Sequence, residues 1–230
     1  MSPSQPSVAG GIWLLADTSV IRHLCRFGVA ETFLDHVGAE QVFVVRDVAD
    51  ELEHARSAGA APGLDAFMRE RSWPAADQVR DLDPAVTVEV VEALAFINTA
   101  DMHPKENIGE IATVLYASRS EDCYQILVDD GAGKKLAESH RLDFTNTCMI
   151  AEELVELGLI DPAVGQKLWC EASRGSAEDY TAAIRKRSPE IAKELDIQRE
   201  AKQAKRRERD RARKAERKAQ STKAKNKKQR

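Results

Sequence analysis

Cysteine is scarce in this 230-residue sequence, and the four present, Cys25, Cys123, Cys148 and Cys170, are scattered. No Cys-x-x-Cys pair exists, which excludes a zinc ribbon and a dithiol redox motif. Isolated thiols in apolar segments suit a reducing compartment, where they act as small core residues. No apolar run is long enough to span a bilayer, so no membrane partner is expected. The opening MSPSQPSVAGG lacks a basic segment followed by a long apolar stretch, so residues 1–11 read as a disordered lead, not a signal peptide. No Walker loop, GxGxxG or HExxH is present, and Gly10-Gly11 precedes the first strand, where it cannot cradle phosphate. No Ser/His/Asp or Cys/His constellation offers a nucleophile. His23, His36, His54, His103 and His140 show no paired spacing, so each reads as a surface or core residue. Together these features place the chain in the cytoplasm.

Near neutrality hides a charge asymmetry. The chain has 34 Lys and Arg against 38 Asp and Glu, a net of −4. Of these, 16 basic and 4 acidic residues fall in 199–230, leaving +12 on that segment and −16 on residues 1–198. A basic tail on an acidic body points to a polyanionic partner. The tail has no aromatic residue, so base stacking is excluded and any nucleic-acid contact would be to phosphates. Its Ala, Arg, Lys, Gln and Glu content suits a helix, and its charge suits disorder; both remain open over 198–230.

The body reads as α/β. Ile12-Trp13-Leu14-Leu15-Ala16 is an apolar run that stops at Asp17, followed by Thr18-Ser19 and a helical pattern. That is the signature of a buried parallel strand entering a helix. Val42–Val45 repeats it and runs into a helix carrying Glu51. Residues 63–84 read as one helix and a loop, and Val86–Val91 as either strand or helix. Lys105–Arg119 is an amphipathic helix carrying Glu110. Gln125–Val128 is a strand ending in Asp129-Asp130-Gly131. Leu142–Thr145 is a last short strand, and Cys148–Leu157 a helix closed by Gly158. Asp161-Pro162 opens another helix, and 161–197 forms a helical extension. Strands alternating with helices give a parallel sheet with helices on its faces.

In such sheets ligands gather at the carboxyl ends of the strands. Asp17 and Asp129-Asp130 lie at strand ends, and Glu51 lies on the helix after one. Glu110 is the least secure by topology, because its helix leads into a strand. Alone, Asp17 is a helix cap, Glu51 a solvated acid, Glu110 a first-turn acid and Asp129-Asp130-Gly131 a turn. Clustered carboxylates repel, and a divalent cation resolves the repulsion. Mg²⁺ and Mn²⁺ take such oxygen ligands and activate water against a phosphate.

ADTSVI at 16–21, VADELE at 48–53, IGEIATVLYA at 108–117 and LVDDGAGKKLAE at 127–138 resemble, in order, four motifs of the PIN-domain ribonucleases. LDFTNTCMIAEELVELGLI at 142–160 resembles the family's closing strand and helix. The resemblance covers about residues 12–160 and is nearest to the toxin members of toxin–antitoxin pairs. It implies a three-layer α/β/α sandwich and Mg²⁺- or Mn²⁺-dependent RNA cleavage. It also implies an acidic set of Asp17, Glu51, Glu110 and either Asp129 or Asp130. RNA, an antitoxin protein and a second copy of the chain are the partners it implies. Two departures stand out: residues 59–105 match no motif, and the basic tail is not a usual part of the fold. A phosphatase that opens with an Asp after its first strand needs a second acid two residues on, where Ser19 stands here, and is disfavoured. A non-catalytic RNA- or ribosome-binding protein with the same fold is the alternative.

Overall fold

A computed structural model describes residues 13–97 and 107–228. Residues 1–12, which include the lead and Ile12, lie outside the described residues, as do 98–106, which include His103 and the helix start expected at Lys105. The chain divides into two compact units, one ending at Ala177 and one beginning at Glu178.

The first unit is built on five parallel strands: β1 (Trp13–Ala16), β2 (Val42–Val45), β3 (Val79–Arg80), β4 (Tyr124–Leu127) and β5 (Phe144–Thr145). Their order is β3-β2-β1-β4-β5. β2 and β4 are buried along their whole length, and β1 is buried after Trp13. Strands buried on both faces require helices on both sides, consistent with three layers. The central apolar cluster includes Leu14, Leu15, Val44, Val45, Ile126 and Leu127.

The helices of this unit are α1 (Thr18–Arg26), α2 (Ala30–Val37), α3 (Arg46–Ser57), α4 (Leu64–Arg71), α5 (Pro84–Ile97), α6 (Ile108–Arg119), α7 (Gly131–Ser139), α8 (Thr147–Glu156) and α9 (Pro162–Ser173). Local chemistry sets their ends. Asp17, Asp130, Asn146 and Asp161 each accept a backbone N–H as the N-cap of the helix that follows. Gly158 follows α8 at φ +70, a left-handed conformation that glycine adopts without strain. Packing of α9 on α8 carries the first unit beyond Ile160.

Two local expectations change and one open alternative is decided. Residues 63–84 hold more than one helix and a loop: after α4 comes a 3₁₀ turn at Ala76–Gln78 and then β3. A two-residue edge strand is too short to show periodicity. It is registered by the buried Gln78, whose Nε2 donates to the carbonyls of Val42 and Ala39. Val86–Val91 is helical, inside α5. Cys123 is exposed, whereas Cys25 is buried and its thiol is pushed up to about 12 by desolvation.

The second unit is α10 (Ala177–Arg187) and α11 (Pro189–Lys228). Arg199 pairs with Glu178 and Asp196, and Arg185 with Asp196. The tail residues, open between coil and helix in the sequence, continue α11 to Lys228. No helix among the described residues is long and apolar enough to cross a membrane.

Candidate metal centre

Strand order fixes where chemistry collects. From β1 the chain steps outward to β2 and β3, then returns across β1 to β4 and β5. The reversal lies between β1 and β4, and a crevice opens at their carboxyl ends. Asp17 follows β1, and Asp129-Asp130 follow β4 by two and three residues. The Asp17 N–H donates to the Leu127 carbonyl at 2.9 Å, stitching the two strand ends together.

Asp17 is 2% exposed. Its Oδ2 accepts from the Ser19 N–H at 3.1 Å and from Ser19 Oγ. Burial raises its pKa to about 6, against those hydrogen bonds and with a smaller push from the Glu51 charge. Glu51 lies on α3 beside the buried Val48, Leu52 and Ala55. Thr18 Oγ1 donates to its Oε2 at 2.5 Å, and the Gly109 N–H also donates to its carboxylate. Its pKa is raised, chiefly by burial and also by Asp47, while Thr18, Gly109 and Arg22 pull it down.

Glu110 reaches the same edge at the start of α6. Arg119, the last residue of α6, pairs with Glu89 in α5, while at the other end of α6 the Gly109 N–H donates to Glu51 and Asn107, Gly109 and Glu110 line one cavity with Asp17. α6 therefore starts at the carboxyl edge and descends toward β4. The glutamate's Oε2 is buried and, among the described residues, has no hydrogen-bond partner. Its pKa is raised to about 8, first by desolvation and then by the charges of Asp17, Asp130, Glu51 and Asp129. All four other acids of the sequence-predicted set thus act on Glu110.

A cavity of about 200 Å³ is lined by Asp17, Glu51 and Glu110, with Thr18, Ser19, Arg22, Asn107 and Gly109. Asp129 and Asp130 are not among its lining residues. Asp129 Oδ1 accepts from the Thr147 N–H at 2.8 Å, and Oδ2 accepts from Thr147 Oγ1 and from His23 Nδ1 at 2.8 Å. Asp130 is exposed, and its Oδ2 accepts from the Ala132 N–H at 2.7 Å. The two acids that sequence leaves equivalent are therefore distinct: Asp129 has both oxygens committed, whereas Asp130 has one oxygen bound as a helix cap.

Two glycines shape the site. A Cβ on Gly109 would lie 3.1 Å from both carboxylate oxygens of Glu51 and 3.0 Å from Val48. A Cβ on Gly133 would lie 2.5 Å from Val128 and 3.6 Å from Glu110 Cβ. Sequence reasoning passes over Gly109, Gly133 and Thr147 and reads His23 only as a surface or core residue. The IGE and GAG strings carry the glycines, but nothing local marks His23 or Thr147.

The donor set around the cavity is carboxylate, with no sulfur and no imidazole, and it includes one orphaned carboxylate oxygen. That chemistry fits a hard divalent cation. Among the described residues, no three His, Cys, Asp or Glu side chains are already arranged to hold an ion directly.

No protein-family model matches the chain, and neither a curated protein nor a solved structure matches it.

Proposed function

We propose that this chain is a PIN-like endoribonuclease that hydrolyses RNA phosphodiester bonds with Mg²⁺ or Mn²⁺. One observation carries the reading: Asp17, Glu51 and Glu110, from three separate elements, line one cavity at the switch point, with a buried Glu110 oxygen that nothing satisfies among the described residues. Three carboxylates held together against their mutual repulsion suit a bound cation.

Asp17, Glu51 and Glu110 would hold the ion, and Asp130 is the fourth acid. When bound, the ion lowers the pKa of a water and offsets charge on the scissile phosphate. The chain's own residues set the stage for this. Ser19 orients Asp17 through two hydrogen bonds, and Thr18 with the Gly109 N–H orients Glu51. Asp129 is a positioning residue, holding His23 and the start of α8. RNA is the partner these residues favour. An antitoxin protein and a second copy of the chain rest on the family resemblance alone.

The full chain, incubated with total RNA and Mg²⁺ or Mn²⁺, should cleave, and EDTA should stop it. Asp17→Asn should keep the fold and lower the rate by about 100-fold or more, since even residues behind a ligand are worth about 10–100-fold. Cleavage by Asp17→Asn at the wild-type rate would sink the proposal. The alternative, a non-catalytic RNA-binding protein, draws on the absence of a preformed ligand cage among the described residues. It predicts RNA binding with no metal-dependent cleavage by the wild type.

A further inference from the structure

The face of α1 that is not packed into the core carries Ser19, Arg22, His23 and Arg26, while Thr18, Val20, Ile21, Leu24 and Cys25 are buried. Those four residues line a second cavity of about 200 Å³, closed on the other side by Ala60, Ala61 and Pro62. No carboxylate is among its lining residues. The opposing wall is small and apolar, and three of the seven lining residues are basic or imidazole; the acids that act on them, Glu171 on Arg26, Asp129 on His23 and Glu51 on Arg22, lie outside this lining. Ser19 and Arg22 line this groove and the carboxylate cavity alike, so the two are contiguous along α1.

From Ser19 to Arg26 the helix rises about 10 Å, long enough to face more than one phosphate of an extended strand. A groove that presents guanidinium groups over that length beside a proposed phosphodiester site matches a repeating anion. We infer that the α1 face of Ser19, Arg22, His23 and Arg26 is a subsite for the backbone phosphates of single-stranded RNA next to the scissile one. This rests on the nuclease reading above and names where the substrate strand runs.

The chemistry of each residue fits. Arg22 and Arg26 offer planar forks suited to phosphate oxygens. Arg26 is paired with Glu171 at 2.6 Å, but both side chains are largely exposed. Such a pair contributes little and exchanges readily for a phosphate. The His23 ring is held through Nδ1 by Asp129, which leaves Nε2 as the nitrogen available to a ligand. The groove has no aromatic lining, so it carries no base preference.

The test measures binding without catalysis. Fluorescence anisotropy of a labelled oligouridine of about 12 nucleotides, within the span of one single-strand binding site, is followed with the full chain in EDTA over a range of salt concentrations. Arg22→Gln with Arg26→Gln should weaken binding by about tenfold or more at low salt. It should also make the slope of log K against log salt shallower by about 1.4, two phosphates at about 0.7 each. A charge-matched control on α4, Arg69→Gln with Arg71→Gln, lines neither cavity and should leave affinity and slope unchanged. Arg22→Lys with Arg26→Lys should keep the salt slope and lose part of the affinity. Equal losses in the groove variant and the control would reduce the effect to net charge and overturn the inference, as would no loss in either. Displacement of the RNA by an equimolar polyglutamate peptide from the wild type but not from the groove variant would identify a protein-binding groove and also overturn it. The nuclease reading fails separately, by absence of metal-dependent cleavage in the wild type, whatever these binding curves give.

Discussion

Glu110 is where burial and charge act in one direction. Desolvation and four neighbouring carboxylates all favour its protonated form, raising it from 4.5 to about 8. Asp17 is raised from 3.8 to about 6, mainly by burial. Both folded-state values exceed the unfolded ones, so between them the folded protein holds protons that the unfolded chain has released. Stability from these groups is therefore full below about pH 4 and is lost as pH rises through 6 for Asp17 and through 8 for Glu110. Glu110→Gln removes the larger part of that loss. In EDTA it should stabilise the protein by about 1–2 kcal/mol at about pH 8, since each pKa unit corresponds to about 1.4 kcal/mol before relaxation. Near the unfolded carboxylate pKa it should do little. Urea unfolding of wild type and variant across this range measures the difference, and a constant gap would remove the charge cluster as its cause. Adding Mg²⁺ should narrow the gap at alkaline pH by stabilising the wild type alone.

Among the elements, the start of α6 joins three parts of the site. Gly109 donates its N–H to Glu51, and its missing Cβ leaves room for the Glu51 carboxylate. Asn107, at φ 65, precedes the helix and lines the same cavity. Gly109→Ala sets two effects against each other. Alanine favours the helix by up to about 1 kcal/mol, while a Cβ at 3.0–3.1 Å from Val48 and Glu51 forces small shifts. Global stability should therefore change by less than about 1 kcal/mol. Glu51 must move, however, so Mn²⁺ affinity should fall by roughly tenfold, as for residues that orient a ligand. Calorimetric titration with Mn²⁺ alongside urea unfolding separates the two, and unaltered affinity would show that Gly109 does not position Glu51.

For the whole molecule the governing feature is charge segregation, +12 over residues 199–230 and −16 over the rest. α11 is a 40-residue helix, about 60 Å long at about 1.5 Å per residue. No large apolar residue follows Ile197, so hydrophobic burial does not hold its distal part. A basic arm of this kind would offset the repulsion between an acidic body and RNA and raise the local substrate concentration. A chain ending at Gln198 should bind RNA more weakly at low salt. Its salt slope should be shallower by about 0.7 for each phosphate that the arm no longer neutralises, while its metal requirement and cut positions stay the same. An unchanged slope would refute the arm, and tighter binding after truncation would mean that the arm normally masks the body.

Local pattern was enough for much of this protein. β1, β2 and β4, the caps at Asp17 and Asp161, the Gly158 stop and the strand-end placement of Asp17, Asp129 and Asp130 are readable because each depends on neighbours within a turn or on a short apolar run. The parallel sheet follows from strand–helix alternation. Tertiary structure decided what depends on residues far apart in the chain. The contact of the start of α6 with Glu51 brings Glu110 to the carboxyl edge, which topology from the sequence leaves unsettled. Thr147 and His23, the latter 106 residues from Asp129, distinguish Asp129 from Asp130. β3 exists because Gln78 and β2 hold two residues in register. Periodicity reports which way a side chain faces within one element; which carboxylates share a cavity is fixed by strand order and by where helices begin, and those belong to the folded chain.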